Sequence, residues 1–407
     1  MKDSKLLGGT LLISGTTIGA GILAFPISTG IGGFIPAMAV FTVCWLFMLW
    51  AAFIILEVNL SLSGDVNLIS MAQTTLGPVG AGIAWVGFLL LLYSLLAAYM
   101  TGSGPLFLEG VKGFTGVVLP KWTAPLPILL LFGPFVYISM RAVDYMNRYL
   151  MIGLIVTYAL MLTLLFGRLD SSLLLRYDLE YSFISFGVII TAFGYHIIIP
   201  SLATYLGRDL KKIKLCLFMG SLLPFLTYFL WELLILGTVP VSGEHGIAHA
   251  LLHGISLSQS LQTILGSPVI TLAARLFSIF AIITSFLGVA QSCFDFLKDG
   301  FKIRDNKKGR ALVWILTFLP PLIFVSVFQK GFVTVLEYAG LIIAILIGIL
   351  PILMVWSARY RLKLTSHYHV IGGRGLFVCG LLFYTAIVAL VIATHTGWIH
   401  VDINRYL

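Results

Sequence analysis

Eleven stretches of apolar residues, each long enough to cross a bilayer, follow one another along this chain, and that repetition constrains the fold before any motif is read. They are residues 6–29, 34–59, 82–110, 124–142, 147–167, 183–205, 213–238, 271–294, 310–328, 332–356 and 376–396, here called spans 1 to 11. About 20 apolar residues suffice to cross hydrocarbon as a helix, and a helix pairs its own backbone polar groups, which lipid cannot do for it. Only 10% of the 407 residues are charged and 59% are hydrophobic, with a mean hydropathy of +1.04; soluble domains carry about 25% charged residues. The expectation is an all-α integral membrane protein forming one transmembrane domain over residues 1–407, with the lipid bilayer as its main surroundings. The net charge of +9 points to no nucleic acid here, because in a membrane protein the placement of charge matters more than its sum.

That placement gives an orientation. With the N-terminus in the cytoplasm, eighteen of the 25 Lys and Arg fall on the cytoplasmic side and six on the other, with Arg275 opening span 8. This three-to-one bias implies a cytoplasmic N-terminus and, with eleven crossings, a C-terminus on the outer side. The segment "MKDSKLLGG" runs straight into the first apolar stretch, which is too long for the core of a cleavable signal, so no cleaved leader is expected. Cys44, Cys216, Cys293 and Cys379 are scattered without metal-ligand spacing and read as small apolar side chains. In the longer outer loop, 239–270, His245, His249 and His253 recur every fourth residue. A metal or pH-sensing role is one reading; an amphipathic helix lying on the outer face is the plainer one. No metal or other cofactor is expected.

Span 1 has a composition that an ordinary helix would not choose. "GTTIGAGILAFP", Gly15 to Pro26, puts three glycines, two threonines and a proline near mid-membrane. Each Gly costs a helix interior roughly 1 kcal/mol relative to Ala. A deliberate break explains the pattern. Gly19 and Gly21 remove side chains where a ligand approaches the main chain. The half-helix after Gly21 offers free N–H groups and a positive dipole end to a carboxylate; the half-helix before Gly15 offers free carbonyls to an ammonium group or cation. The alternative is close helix packing through small residues. Span 6 weighs against that alternative, because it carries "FGYH", Phe193 to His196, with Pro200 after it, and transporters built from inverted repeats break two helices at corresponding positions. A histidine at that depth is a functional candidate, or else a core histidine bonded to a carbonyl.

These stretches, together with "TSFLGVA" in span 8 and "FLPPL" in span 9, resemble the aromatic amino acid permeases, most nearly the bacterial tyrosine-specific branch, over essentially the whole chain. The resemblance implies the amino acid–polyamine–organocation superfamily and a leucine-transporter-type fold. That fold has two inverted five-helix repeats, here about 6–167 and 183–356, with broken helices 1 and 6, and in this family an eleventh helix at about 376–396. It also implies a secondary active transporter that imports an aromatic amino acid, foremost tyrosine, across the bacterial inner membrane by proton symport and alternating access. A sodium-coupled carrier, or one for tryptophan or another neutral amino acid, is the alternative within the same fold.

By that analogy substrate sits between spans 1, 3, 6 and 8. Thr16, Thr17, Ile18, Gly19, Ala20 and Gly21 would line it from span 1, Tyr93 from span 3, Phe193, Gly194, Tyr195 and His196 from span 6, and Thr284 and Ser285 from span 8. An aromatic ligand wants an apolar slot with aromatic edges and a few polar anchors. Adjacent hydroxyls on span 8 help hold an ion in sodium-coupled members, whereas some proton-coupled relatives place a Lys in span 5; this span 5 has none. His196 and Glu232 are the coupling candidates. Glu57 and Asp295, near span ends, read as caps or snorkelling groups. An intramembrane enzyme would need a nucleophile–base pair, paired carboxylates or a metal motif, and none is present in the sequence. A channel would line its pore by rings of charge or oligomer symmetry, which paired broken helices do not suggest.

Overall fold

The computed structural model describes residues 2–64, 66–244, 246–253, 255, 257–328, 331–399 and 403–406. Among these the chain is helical throughout, with no strand. Span 1 is two helices, α1 (Lys2–Thr17) and α2 (Gly21–Thr29), whose axes bend by 54° at the gap. α3 (Phe34–Ser61) and α4 (Leu68–Thr115) follow; α4 is kinked at Gly77, where φ is +78° and an L side chain would be strained. The polar stretch before span 3 is therefore partly helical, with its start fixed by a reciprocal cap in which Asn67 and Ser70 satisfy each other's backbone N–H groups.

The largest departure from expectation lies at spans 4 and 5. α5 (Leu126–Ile138) has 13 residues, about 20 Å at 1.5 Å per residue, short of a ~30 Å hydrocarbon core. It stops at Ser139, whose extended backbone and side chain cap α6 (Met140–Phe166) through the N–H of Ala142. The N-cap thus claims for the next helix residues that hydropathy assigned to span 4. α7 (Ser171–Leu174) and α8 (Leu179–Ser182) are single turns leading to span 6, which is divided into α9 (Phe186–Ala192) and α10 (Ile199–Tyr205). Then come α11 (Leu210–Leu236), the short helices α12 (Ile247–His253) and α13 (Leu257–Leu265), and α14 (Pro268–Gly300). α15 (Lys307–Phe328), α16 (Phe332–Ile343), α17 (Leu350–Trp356) and α18 (Arg374–His395) complete the chain, with π-helical turns at Ala344–Ile349 and Ser357–Arg361. By length and hydropathy nine helices among the described residues can cross a membrane, and ten if α1 and α2 make one broken span. Against the eleven crossings expected from sequence, the described residues thus give nine or ten, and α5 is an apolar helix too short to be counted with them.

α14 packs on α4 and α6, α1 on α11, and α16 on α4 and α9, so the middle of the molecule is enclosed by α1, α2, α4, α9, α14 and α16. Large aromatics fill the contact between α2, α3, α9 and α11: Phe25 meets Phe41 and Tyr228 edge-on at 4.9 and 4.8 Å, and Phe193 meets both Phe41 and Tyr228. Leu130, Ile152, Val156 and Leu382 lie exposed on the outside of the bundle, as a lipid-facing surface requires.

Candidate substrate site at the helix breaks

The break in span 1 is held open by side chains from two other helices. Ile18 donates to the carbonyl of Ser14, and main-chain bonding resumes, one residue short of helical reach, when Ile22 and Leu23 donate to Gly19 and Ala20. In between, the Thr17 carbonyl accepts the hydroxyl of Tyr228 on α11 at 2.7 Å. The Ala20 N–H donates to Ser285 Oγ on α14 at 2.9 Å. A broken helix must give its orphan groups partners, and these two contacts supply one at each side of the gap. They also explain Gly19: a Cβ there would lie 2.6 Å from Ser285 Oγ, whereas at Gly15 it would meet nothing within 4 Å. The hydroxyls of Thr16 and Thr17 turn back to the carbonyls of Leu12 and Ile13, each at 2.7 Å.

In span 6 the α-helix stops at Ala192 and resumes at Ile199 after a tight turn at His196–Ile198. Phe193 and Gly194 donate to Ile190 and Thr191, one residue short of helical reach, and Tyr195 to Phe193. Residues Leu179–Tyr205 still run as one apolar span, and among the described residues a bend of more than 40° at a short break occurs at span 1.

Between the two breaks lies a cavity of about 390 Å³. Of the residues picked from sequence, Thr16, Thr17, Ile18, Gly19, Ala20, Gly21, Gly194, Tyr195, Thr284 and Ser285 line it. Its walls add Phe88, Leu91, Leu92, Leu95 and Tyr99 from α4, Met151 from α6, and Leu336 and Ile343 from α16. Asn147, Thr191 and Ser292 contribute further polar groups that the sequence reading did not single out. Asn147 stands out only as an amide at the mouth of an apolar segment; Thr191 and Ser292 carry no signal short of knowing which helix face turns inward. No acidic or basic side chain is among the lining residues. Any charge on a ligand there has to be met by backbone groups and helix ends.

Four candidates are placed elsewhere. The Tyr93 hydroxyl donates to the Leu316 carbonyl at 2.7 Å, facing α15 rather than the cavity. Phe193 belongs to the aromatic cluster with Phe41 and Tyr228. His196 is buried with its ring stacked on Tyr195, and its Nε2 lies 2.7 Å from the Met48 carbonyl of α3. A carbonyl only accepts, so that nitrogen carries the hydrogen. This is the carbonyl-bonded arrangement of a core histidine. Glu232, wholly buried on α11, accepts from Thr29 Oγ1 of α2 at 3.1 Å through one oxygen, and its other oxygen has no partner.

The other carboxyls within spans that the sequence singled out have partners among the described residues. Glu57 does not snorkel: it is buried and takes both arms of Arg359, Nε at 2.6 Å and Nη2 at 2.5 Å, plus the N–H of Val370 at 2.6 Å. Asp295 accepts from Gln291 at 2.9 Å. Glu337 pairs with His395 at 3.0 Å. Of the outer-loop histidines, His245 lies outside the described residues, and His253 stacks on His249 at 4.1 Å. No group of three metal-ligating side chains occurs among the described residues.

The chain matches the tryptophan/tyrosine permease family over residues 2–392. It is 32% identical to "Tyrosine-specific transport system 2" of Haemophilus influenzae over 98% of this chain and 99% of that protein. It is equally 32% identical to a "Tryptophan-specific transport protein" of Pseudomonas aeruginosa, over 98% and 97%. "Tyrosine-specific transport system 1" of Haemophilus influenzae follows at 31%, over 97% and 98%. The relatives are transport proteins and not enzymes, and this chain, a multi-pass membrane protein with two interrupted helices around a central cavity, belongs to the tryptophan/tyrosine permease family.

Proposed function

We propose that this protein imports an aromatic amino acid, tyrosine foremost and tryptophan as the competing substrate, across the bacterial inner membrane by proton symport with alternating access. The observation that carries the reading is the central cavity: apolar and aromatic walls, no charged side chain, and the main chain of a broken helix along one side. The α-carboxylate would take N–H groups at the start of α2 and the ammonium the carbonyl end of α1, while the ring lies against Phe88, Leu92, Tyr99 and Met151. Opposite helix ends balance a zwitterion without charged side chains.

The fold we assign is the five-plus-five inverted repeat, residues about 6–167 and 183–356, with α18 as the extra helix and α5 counted as a crossing. The N-terminus is cytoplasmic and the C-terminus periplasmic. In that orientation the cavity reaches toward the cytoplasm, because its lining extends to Gly15 on α1, Asn147 early in α6 and Ser292 late in α14. On the outer side the apolar cavity next to the breaks is smaller, about 120 Å³.

Glu232 is our proposed proton carrier. Glu232 is a buried carboxyl with a free oxygen and no basic partner among the described residues, and it contacts α2, the half-helix on the outer side of the break. Sodium is less favoured by the contacts at span 8. Ser285 Oγ already accepts the Ala20 N–H, and no carboxylate is among the residues lining the cavity to complete an ion site.

The test is uptake of labelled L-tyrosine into proteoliposomes under an imposed pH gradient without sodium, with unlabelled amino acids as competitors. Accumulation that collapses with an uncoupler is expected, with competition by tryptophan. Uptake that requires sodium transfers the coupling to that ion, and absence of both tyrosine and tryptophan uptake overturns the reading.

A further inference from the structure

Outward of the helix breaks, α4 and α14 carry a second constellation that the central site does not use. The small outer cavity is apolar and is walled by Pro105 and Leu106 of α4, Ile282 of α14, Phe332 of α16 and Leu251 of α12. One turn further out on each helix comes a charge: Glu109 on α4, three residues after Leu106, and Arg275 on α14, three residues before Ser278, which also lines the cavity. The two helices run in opposite directions, so both charges lie at the same outer level. They line a polar mouth of about 310 Å³ that shares Ile255 with the apolar cavity beneath.

The contact between the charges is loose. Arg275 Nη2 lies 3.3 Å from Glu109 Oε2 and donates at 2.8 Å to Gln262 Oε1; Gln259 donates to Glu109 Oε1. Arg275 Nε is buried and has no partner. A guanidinium with an idle Nε beside a used Nη is half of a fork that a carboxylate completes. The neighbouring carboxylate is placed for an ammonium group. The step from this pair to the apolar cavity is one helical turn, about 5.4 Å, which is the reach from an α-carbon to its aromatic ring.

We infer that this is an outer capture site for the zwitterion of an aromatic α-amino acid. The ligand carboxylate takes Arg275 Nε and one Nη, its ammonium takes Glu109, and its ring enters the cavity between Pro105, Leu106 and Phe332. Net charge at the site is unchanged, because one zwitterion is inserted into one ion pair. The inference rests on the transport reading above: the same substrate class is collected at the outer mouth before it reaches the helix breaks.

The test is equilibrium binding of labelled L-tyrosine, and separately L-tryptophan, to purified protein, combined with transport from each side in proteoliposomes. Gly15→Leu fills the central cavity without touching the outer one. Wild type is expected to hold two ligands per chain, Gly15→Leu one, and Gly15→Leu with Arg275→Gln none. Arg275→Gln and Glu109→Gln are each expected to raise the KM for uptake from outside roughly tenfold or more, the cost of one charge-assisted pair, with the KM for efflux unchanged. An ion pair that merely latched the outer helices would alter maximal rates in both directions and leave the binding count alone. One ligand in wild type and none in Gly15→Leu overturns the outer site and leaves the transport reading standing. If wild type neither binds nor transports either amino acid, both fall together.

Discussion

Gly19 and Ser285 share one small volume, and that sharing separates two kinds of glycine in the same broken helix. At Gly19 a methyl group would collide with Ser285 Oγ at 2.6 Å, while at Gly15 it would project into open cavity. Gly19→Ala should therefore disturb the break itself, because either Ser285 moves or Ala20 loses its acceptor; an N–H left unpaired inside costs about 1–3 kcal/mol. Gly15→Leu should leave the fold intact and obstruct the ligand. The expected outcome is a lowered melting temperature in Gly19→Ala, and in Gly15→Leu a normal melt with transport reduced at least about tenfold. The same transport loss without a change in melting in both variants would show that Gly19 also serves ligand space. For the two coupling candidates the geometry favours Glu232. Glu232→Gln is expected to keep tyrosine exchange between equal pools and to lose accumulation driven by a pH gradient. His196→Gln, whose amide can still donate to the Met48 carbonyl, is expected to keep both. Loss of gradient-driven accumulation in His196→Gln alone would return the proton to His196.

At the scale of elements, each end of the span 1 break is anchored to a different helix. Tyr228 of α11 holds the carbonyl end and Ser285 of α14 the N–H end. α1 and α2 therefore cannot straighten without releasing both. Tyr228→Phe removes one donor while the ring keeps its contacts with Phe25, Phe41 and Phe193. Its stability cost should be near that of one hydrogen bond, about 0.5–1.5 kcal/mol. Its transport cost should be larger, since the freed Thr17 carbonyl is then able to take an i+4 partner and rebuild the helix. Amide hydrogen exchange over residues 17–22 distinguishes the outcomes: faster exchange follows from a loosened break and slower exchange from a healed one, and unchanged exchange would show that Tyr228 does not hold it.

At the scale of the whole molecule, the two faces are tied by different devices. On the side of the N-terminus, Glu57 joins α3 to the turn after α17 through Arg359, Val370 N–H and His369. Removing one member of a buried pair strands the other charge, typically at about 3–5 kcal/mol, whereas replacing both with apolar groups is often mild. Glu57→Ala is accordingly expected to destabilise strongly, and Glu57→Leu with Arg359→Leu much less; equal losses would argue that the pair itself is strongly stabilising. On the opposite face the C-terminal turn Ile403–Tyr406 docks on the segment before span 6. Arg405 and Tyr406 both bond Asp178, and Arg176 lies 4.7 Å over the Tyr406 ring. Partial burial works against the charge on Asp178, but the Tyr406 hydroxyl and the Arg405 guanidinium outweigh it and hold its carboxyl below the usual carboxylate range. A lowered value means docking is fully favoured above the ordinary Asp range and lost as pH falls through the lowered one. Cleavage after Arg405 by an acid-tolerant protease should therefore speed up only at strongly acidic pH, and Asp178→Asn should speed it up at neutral pH.

Helix positions and the first break were legible in the amino-acid order, because hydropathy over about 20 residues and the local cost of Gly, Thr and Pro in a helix are properties of neighbouring residues. The extent of α5 was less so: a serine cap decided where one apolar helix stopped and the next began, and hydropathy does not register a cap. Which face of each helix turns inward, by contrast, was settled by packing between distant helices. In lipid a span is apolar all round, so its periodicity does not mark the buried side as it does in water. For that reason Tyr93 and His196, read from sequence as facing the substrate, bond carbonyls on α15 and α3 instead, while Asn147, Thr191 and Ser292 reach the cavity unannounced. The contact that fixes the break, Ser285 to Ala20, joins residues 265 positions apart. No local pattern encodes such a meeting; it exists because packing of α14 against the rest of the bundle leaves space for one hydroxyl and no β-carbon.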